Sequence, residues 1–321
     1  MSLPESFRGR FSVPVIASPM FLISGPELVI ACCKAGVAGT FPSLNARSSE
    51  GLRQWLNTLG EALGQAGGAA PHAPYGVNLI LHPTNERQDA DLEVLVEHRV
   101  PFVITSLGNP LKVVRAVHAY GGLVFSDVIH AKHARKAIDA GVDGLIAVGS
   151  GAGGHAGTQS LFSLARELRA LWDGTLVLGG AISDGQGIRA AEVLGADLAY
   201  LGSRFIATQE CRAEEAFKQM ILDSTAEDVV YTDAVSGTHA NMLLMSLLKV
   251  YGPDWRQRAA ERRHDGPKAW RDVWSAGQGV AIINDLPSTA ELVARLRAEY
   301  LGAVALSASA ALTWLSEPAH G

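Results

Sequence analysis

The chain has 321 residues, 48% of them hydrophobic, and 34 glycines, enough to bury the core of one large α/β domain or two smaller ones. A formal net charge of −5 with no dense Lys/Arg run argues against nucleic acid, and no apolar segment reaches the roughly 18 residues of a membrane span. Three cysteines (Cys32, Cys33, Cys211) cannot all pair; with no signal-peptide h-region, they read as reduced thiols of a cytoplasmic protein.

Short apolar runs alternate with helical patterns along the first two thirds of the chain. The runs are PVIASPM (14–20), VAGTFPS (37–43), GVNLIL (76–81), FVITSLG (102–108), GLVFSDV (122–128), GLIAVGS (144–150), TLVLGG (175–180) and LAYLGS (198–203). Apolar on both faces, they suit parallel strands covered by helices. Between them, SGPELVIACCKAG opens with Ser24 as a candidate N-cap and closes at Gly36, and SDGQGIRAAEVLGA does the same with Asp184 and Gly195. AGVDGLIAVGS (140–150) and LGADLAYLGS (194–203) echo one another: Gly-x-Asp, an apolar run, then Gly-Ser.

Eight such units predict a (β/α)8 TIM barrel, with an open doubly wound sheet as the alternative. From 225 to 285 the rhythm breaks, and the chain carries Trp255, Trp270 and Trp274. This segment reads as a small helical lid inserted after strand 8, its arginines (Arg256, Arg258, Arg262, Arg263) as a solvated helix face. The expected division is therefore a barrel over 1–224, a lid over 225–285 and a segment packing back on the barrel over 286–321. In that last segment 288–301 is helical, and the tail beyond it is either a further helix or a strap.

In a barrel of this kind chemistry gathers where strands end, which here means Ser18-Pro19-Met20, Asn78, Ser126-Asp127, the glycine loop before His155, Gly179-Gly180-Ala181 and Gly202-Ser203-Arg204. The loops after the seventh and eighth strands predict a phosphate site, since glycines let the backbone approach an anion and the Ser203 hydroxyl can donate. Gly149, Gly151 and Gly154 spell G-x-G-x-x-G, but they follow the sixth strand, and the only acid about 20 residues on, Asp173, lies at the other end of the barrel. The glycines instead leave room for a flat, wide group, and His155 behind them is a candidate base or hydrogen-bond donor. His130 and His133 have no third metal ligand nearby and read as the start of a helix, so no metal is expected. His239, in the lid, is a candidate to reach the site.

Read together, PVIASPM, Gly76-Val77-Asn78, Ala152-Gly153-Gly154-His155, Gly179-Gly180 followed by Asp184-Gly185, Leu201-Gly202-Ser203-Arg204-Phe205 and Ala276-Gly277-Gln278-Gly279 resemble the nitronate monooxygenase (2-nitropropane dioxygenase-like) flavoproteins, over about residues 13–300. The resemblance implies an FMN-binding barrel with its phosphate at Gly180, Ala181, Gly202 and Ser203, and with Gly179 among the cofactor-binding residues. It brings Ala17, Ser18, Met20, Asn78, Ser126, Gly153 and Gly154 to the flavin, closes Gln278 over it, and makes His155 the catalytic histidine. It also implies a small-molecule substrate, an alkyl nitronate, which reacts with O2 to a carbonyl compound and nitrite in a monomer or homodimer. The alternative is an NAD(P)H-dependent FMN reductase on the same barrel, acting on enoyl or quinone acceptors. Two departures bear on the substrate: Gly151 stands where the family often has an acid, and Ser126-Asp127 where some relatives have a basic or neutral residue.

Overall fold

A computed structural model describes residues 2–64, 72–262 and 264–314. Strands β1 (Val15–Ala17), β2 (Ala38–Pro42), β3 (Gly76–Ile80), β4 (Phe102–Ser106), β5 (Leu123–Val128) and β6 (Gly144–Val148) precede a two-residue strand β7 (Gly154–His155), and β8 (Thr175–Gly179) and β9 (Leu198–Leu201) follow it. All but β7 pair in parallel and close a barrel in the order β1-β2-β3-β4-β5-β6-β8-β9, with β9 returning to β1. The predicted TIM barrel is therefore correct, and pairing of the first strand with the last excludes the open sheet. Each of the eight predicted runs becomes a barrel strand, but seven of them end one to three residues early. The residues trimmed away, such as Ser18–Met20 and Gly202-Ser203, turn off into the loops that build the site.

Helices α1 (Pro26–Ala35), α2 (Ser49–Leu63), α3 (Gln88–Glu97), α4 (Leu111–His118), α5 (Ala131–Asp139), α6 (Leu161–Leu171) and α7 (Gly185–Val193) cover the strands, and α8 (Ser203–Ile206) and α9 (Glu215–Asp223) follow β9. Helix α1 is capped by Gly25 rather than Ser24: Pro26 at its first position forces an extended residue before it, and Ser24 turns its hydroxyl back to accept from Met20 N at 2.9 Å. Asp184 caps α7 by accepting from Gly187 N at 2.7 Å, as expected, and His130 caps α5 through its ring nitrogen, accepting from His133 N at 3.2 Å.

The echoed Gly-x-Asp motif has a structural reason. Asp143 and Asp197 each stand just before a strand and accept from a backbone N–H of the preceding one, Val124 N at 2.7 Å and Leu176 N at 2.9 Å. His118 and Arg169 complete the two carboxylates from the flanking helices. Inside the barrel, Phe7 plugs the N-terminal end against Phe102 and Phe125, beneath Ile16, Ile146, Val177 and Leu198. This cluster fills the N-terminal part of the interior, opposite the C-terminal end where barrel sites form.

Beyond α9 the chain forms β10 (Val229–Thr232), β11 (Ala240–Leu243), α10 (Leu244–Tyr251) and α11 (Trp255–Glu261), before α12 (Thr289–Trp314) packs against α7 and α1. The helical expectation for this insert holds for α10 and α11 and is corrected for the rest. VVYT and ANML are four-residue strands that join β7 in an antiparallel sheet ordered β10-β11-β7. Strands so short carry too little periodicity to be read from sequence. The tail resolves as a continuation of the last helix as far as Trp314; 315–321 and Arg263 lie outside the described residues. Cys32, Cys33 and Cys211 are buried and unpaired, and burial pushes the Cys33 thiol up to about 12.

Candidate active site

A cavity of about 1450 Å³ opens at the C-terminal mouth of the barrel. Its floor is the upper end of the strands. There Asn78 on β3 donates both amide hydrogens, to Ile104 O at 3.1 Å and to Ser106 Oγ at 2.8 Å, which leaves its amide oxygen as a free acceptor. Ser106 in turn donates to Asp127 Oδ2 at 2.5 Å. The other Asp127 oxygen is buried with no hydrogen-bond partner among the described residues. Burial pushes this carboxyl up to about 6, and the Ser106 hydrogen bond pulls the other way. Tyr200 on β9 lines the same floor, its phenol raised by burial and by the neighbouring Asp127 charge.

One wall is glycine-rich. Gly180 (φ 140°) and Ala181 (φ 54°) turn the backbone sharply after β8. A side chain at Gly202 would place its Cβ 2.7 Å from Ser18 Oγ, so the loops after β1 and β9 approach closely here. Ser203 Oγ accepts from Gly277 N at 2.8 Å, and its own hydrogen stays free to donate. The loop after β6 is held from two sides. Gly151 O accepts from Ala181 N and Gln278 N, at 3.2 and 3.0 Å, and Asn241 Nδ2 donates to Ser150 O and Ala152 O, at 2.9 and 2.6 Å. Strand β7 follows this loop directly and α6 begins only at Leu161, so its G-x-G-x-x-G does not open a helix as a dinucleotide turn would.

The loop delivers His155 on β7, opposite Ala240 of β11. Trp270 meets the imidazole edge-on at 5.0 Å, and neither ring nitrogen has a hydrogen-bond partner among the described residues. The ring is open to the cavity, yet surrounding protein desolvates it and holds the imidazolium below its ordinary 6.5. His155 is therefore a neutral imidazole at pH 7, free to take a proton or to donate one hydrogen bond. His239 does reach the cavity, stacked on Tyr231 at 5.0 Å, while Tyr231 donates to Ala156 O at 3.2 Å.

Of the residues singled out in sequence, Ser18, Met20, Asn78, Ser126, Gly153, Gly154, His155, Gly179, Gly180, Ala181, Gly202 and Ser203 all line this cavity. Ala17 and Gln278 do not. Ala17 is buried in β1, its carbonyl accepting from Thr40 Oγ1 at 2.5 Å, and Gln278 is exposed outside the cavity, over Gly151. Sequence reasoning missed Ser106, Tyr200, Trp270 and Asn241. His130 caps α5 and His133 lines the cavity; among the described residues no cluster of three or more His, Cys, Asp or Glu could hold a metal. No helix among them is long and apolar enough to cross a membrane. Arg256 lies over the Trp255 ring at 4.4 Å, on the outside of α11.

The profile of one family, nitronate monooxygenase, matches residues 72–299. Over 343 aligned residues the chain is 28% identical to a nitronate monooxygenase of Paraburkholderia phytofirmans, covering 89% of this chain and 92% of that one. Among solved structures, FabK from Thermotoga maritima superposes with a TM-score of 0.79 at 26% identity, over 93% of this chain and 96% of that one. A nitroalkane oxidase from Streptomyces ansochromogenes superposes with a TM-score of 0.77 at 27% identity, over 93% and 98%.

Proposed function

The chain belongs to the nitronate monooxygenase family, and on that premise we propose that it is an FMN-dependent enzyme oxidising alkyl nitronates with O2 to a carbonyl compound and nitrite. The observation that carries this reading is His155, a neutral imidazole with both nitrogens free, facing the same cavity as a glycine-lined, serine-bearing cradle. The residues present fit FMN. Gly179, Gly180, Ala181, Gly202 and Ser203 would line its phosphate site, where the free Ser203 hydrogen and backbone N–H groups other than that of Ala181, which donates to Gly151 O, would be the donors. Ser18, Met20, Ser126, Gly153 and Gly154 would face the ring, and the amide oxygen of Asn78 is the acceptor available to a ring N–H. Bound there, FMN would supply the electron acceptor that the side chains lack.

The chain's own part is to bind, orient and deprotonate. His155 takes the α-proton of a neutral nitroalkane, or donates to the nitro oxygens of a preformed nitronate. Trp270 fixes the imidazole edge-on. The insert, stitched to the His155 loop by β11, acts as the lid that keeps water from the reacting carbon.

A second reading has one observation in its favour. At about 1450 Å³ the cavity exceeds the roughly 300–1,000 Å³ of ordinary ligand sites, leaving room for a nicotinamide nucleotide beside the flavin in an NAD(P)H-dependent FMN reductase. An anaerobic titration separates the two. Bleaching of the flavin by propyl-1- or propyl-2-nitronate, with no response to NADH or NADPH, supports the monooxygenase. Rapid bleaching by either nicotinamide overturns it.

A further inference from the structure

Backbone strain in this protein is concentrated at the cavity. Among the described residues other than glycine, positive φ occurs at Leu22 (69°), Arg99 (46°), Leu107 (62°), Ala181 (54°) and Trp270 (64°). Leu107, Ala181 and Trp270 line the cavity, and Leu22 stands between Phe21 and Ile23, which also line it. A branched, bulky side chain in the left-handed region is a costly conformation, held only where the surroundings impose it. Burial does not compensate the two leucines: Leu22 is 40% exposed and Leu107 50%. Phe21 and Leu111 are exposed as well. Folding gives a reason for the turn at Leu22, whose N–H donates to Asn45 Oδ1 at 2.7 Å, but among the described residues it gives none for Leu107 or for turning large apolar side chains toward water.

Their position supplies one. In the eight-strand ring, β4 stands directly across from β9, so the loop bearing Leu107 faces the cradle of Gly202 and Ser203 across the mouth. Trp270 bridges the gap from the insert, edge-on to Phe21 at 6.4 Å and to His155 at 5.0 Å. Leu107 and Leu111 from the loop after β4, Phe21 from the loop after β1 beside the cradle, and Trp270 from the insert thus put apolar side chains around the mouth of the same cavity as the reacting imidazole. These four side chains offer a ligand only hydrocarbon and one indole N–H, while Asn109, His133 and Lys136 bring polar and cationic groups to the same cavity.

We propose that this rim is a subsite for the apolar tail of the substrate, an anionic carbon acid whose head lies at His155 and whose alkyl chain or ring system lies across Phe21, Trp270, Leu107 and Leu111. The identity of the head as a nitronate rests on the function proposed above; the tail subsite stands on the strain and exposure of the rim.

Two ligand series test this on the FMN-loaded protein. Straight-chain carboxylates from propionate to decanoate, which do not react, are titrated by calorimetry, and nitronates of 1-nitropropane to 1-nitrodecane are followed by nitrite release. Affinity and kcat/KM are expected to rise by up to roughly fourfold per methylene until the rim is spanned. Leu107→Gly, which suits the left-handed backbone, is expected to raise the melting temperature while flattening the dependence on chain length. Leu111→Ser should flatten it without that gain. Wild-type carboxylate affinity that does not change with chain length overturns the subsite, and so does an unaltered slope in both variants. If carboxylate affinity climbs with length while no nitronate of any length is oxidised, the tail subsite stands and the nitronate reading falls.

Discussion

Replacing Asp127 by Asn tests the electrostatics of the cavity floor. In the wild type one carboxylate oxygen accepts from Ser106 Oγ at 2.5 Å and the other is shut off from solvent without a partner. Burial raises the carboxyl from its ordinary 3.8 to about 6. A raised carboxyl is one the folded chain prefers protonated. Between pH 3.8 and about 6 the folded state holds a proton that the unfolded chain has released, so stability falls as pH rises through that window and stays lowered above it. At about 1.36 kcal/mol per pH unit, that difference caps the cost of ionised Asp127 at pH 7 at about 3 kcal/mol. Asn keeps the shape and can still accept from Ser106, so Asp127→Asn should gain about 1–3 kcal/mol at pH 7.5, a rise of roughly 2–6 °C in melting temperature. Denaturant unfolding of both proteins from pH 4 to 8 is the assay. The variant's advantage should grow between pH 4 and 6.5 and then level off, which cancels the other titrating groups by difference. The variant should also bind nitronate more tightly at pH 7.5, because a negative charge leaves the floor of an anion site. An advantage independent of pH, or none at any pH, would refute the claim that this carboxyl is desolvated.

His155→Asn should lower kcat/KM for neutral nitroalkanes by roughly 10²–10⁴ and affect preformed nitronates much less, as judged by nitrite release. Because burial disfavours the imidazolium, the wild-type rate on neutral nitroalkanes should climb along an acid limb centred below pH 6.5 and be flat above it. Asn241→Leu strips Ser150 O and Ala152 O of their shared donor; it should cost about 1–3 kcal/mol in denaturant unfolding and depress kcat more than FMN retention. Gly277→Ala would put a Cβ 2.5 Å from Gly151 O and 2.9 Å from Gly153 N, and overpacking against backbone should cost about 1–3 kcal/mol and shed FMN, read from the flavin-to-protein absorbance ratio.

The barrel was legible because its signal is local. Each parallel strand is an apolar run covered on both sides, and Gly-x-Asp announces two of them because an aspartate there caps a neighbouring strand. Once the order of strands is known, the residues at their C-terminal ends must converge, which is why twelve lining residues could be named in advance. The insert offered no such shortcut. Asn241 ties down the His155 loop from 91 and 89 residues away, through a pairing of strands only two and four residues long. Nothing local in Ala240–Leu243 marks Asn241 as the donor, and nothing in the sequence around Trp270 marks it as the wall behind the imidazole.

Strain is the least legible property of all, and it is where function separates from folding. A reader of sequence expects glycine or asparagine at a left-handed position, because only they adopt it cheaply. At Leu22 and Leu107 the chain has exposed leucine instead, Leu107 at the mouth of the cavity and Leu22 between two residues that line it. Local propensity and tertiary demand conflict at both positions, and burial does not resolve the conflict in favour of stability. Such conflicts persist where the side chain contributes something glycine cannot. At Gly180, by contrast, the left-handed demand is met by glycine itself, as a backbone site for phosphate requires. Next to it Ala181 holds φ 54° with a side chain of little bulk, whereas Leu107, across the mouth, brings a large apolar side chain to the same backbone region and offers hydrocarbon to a ligand.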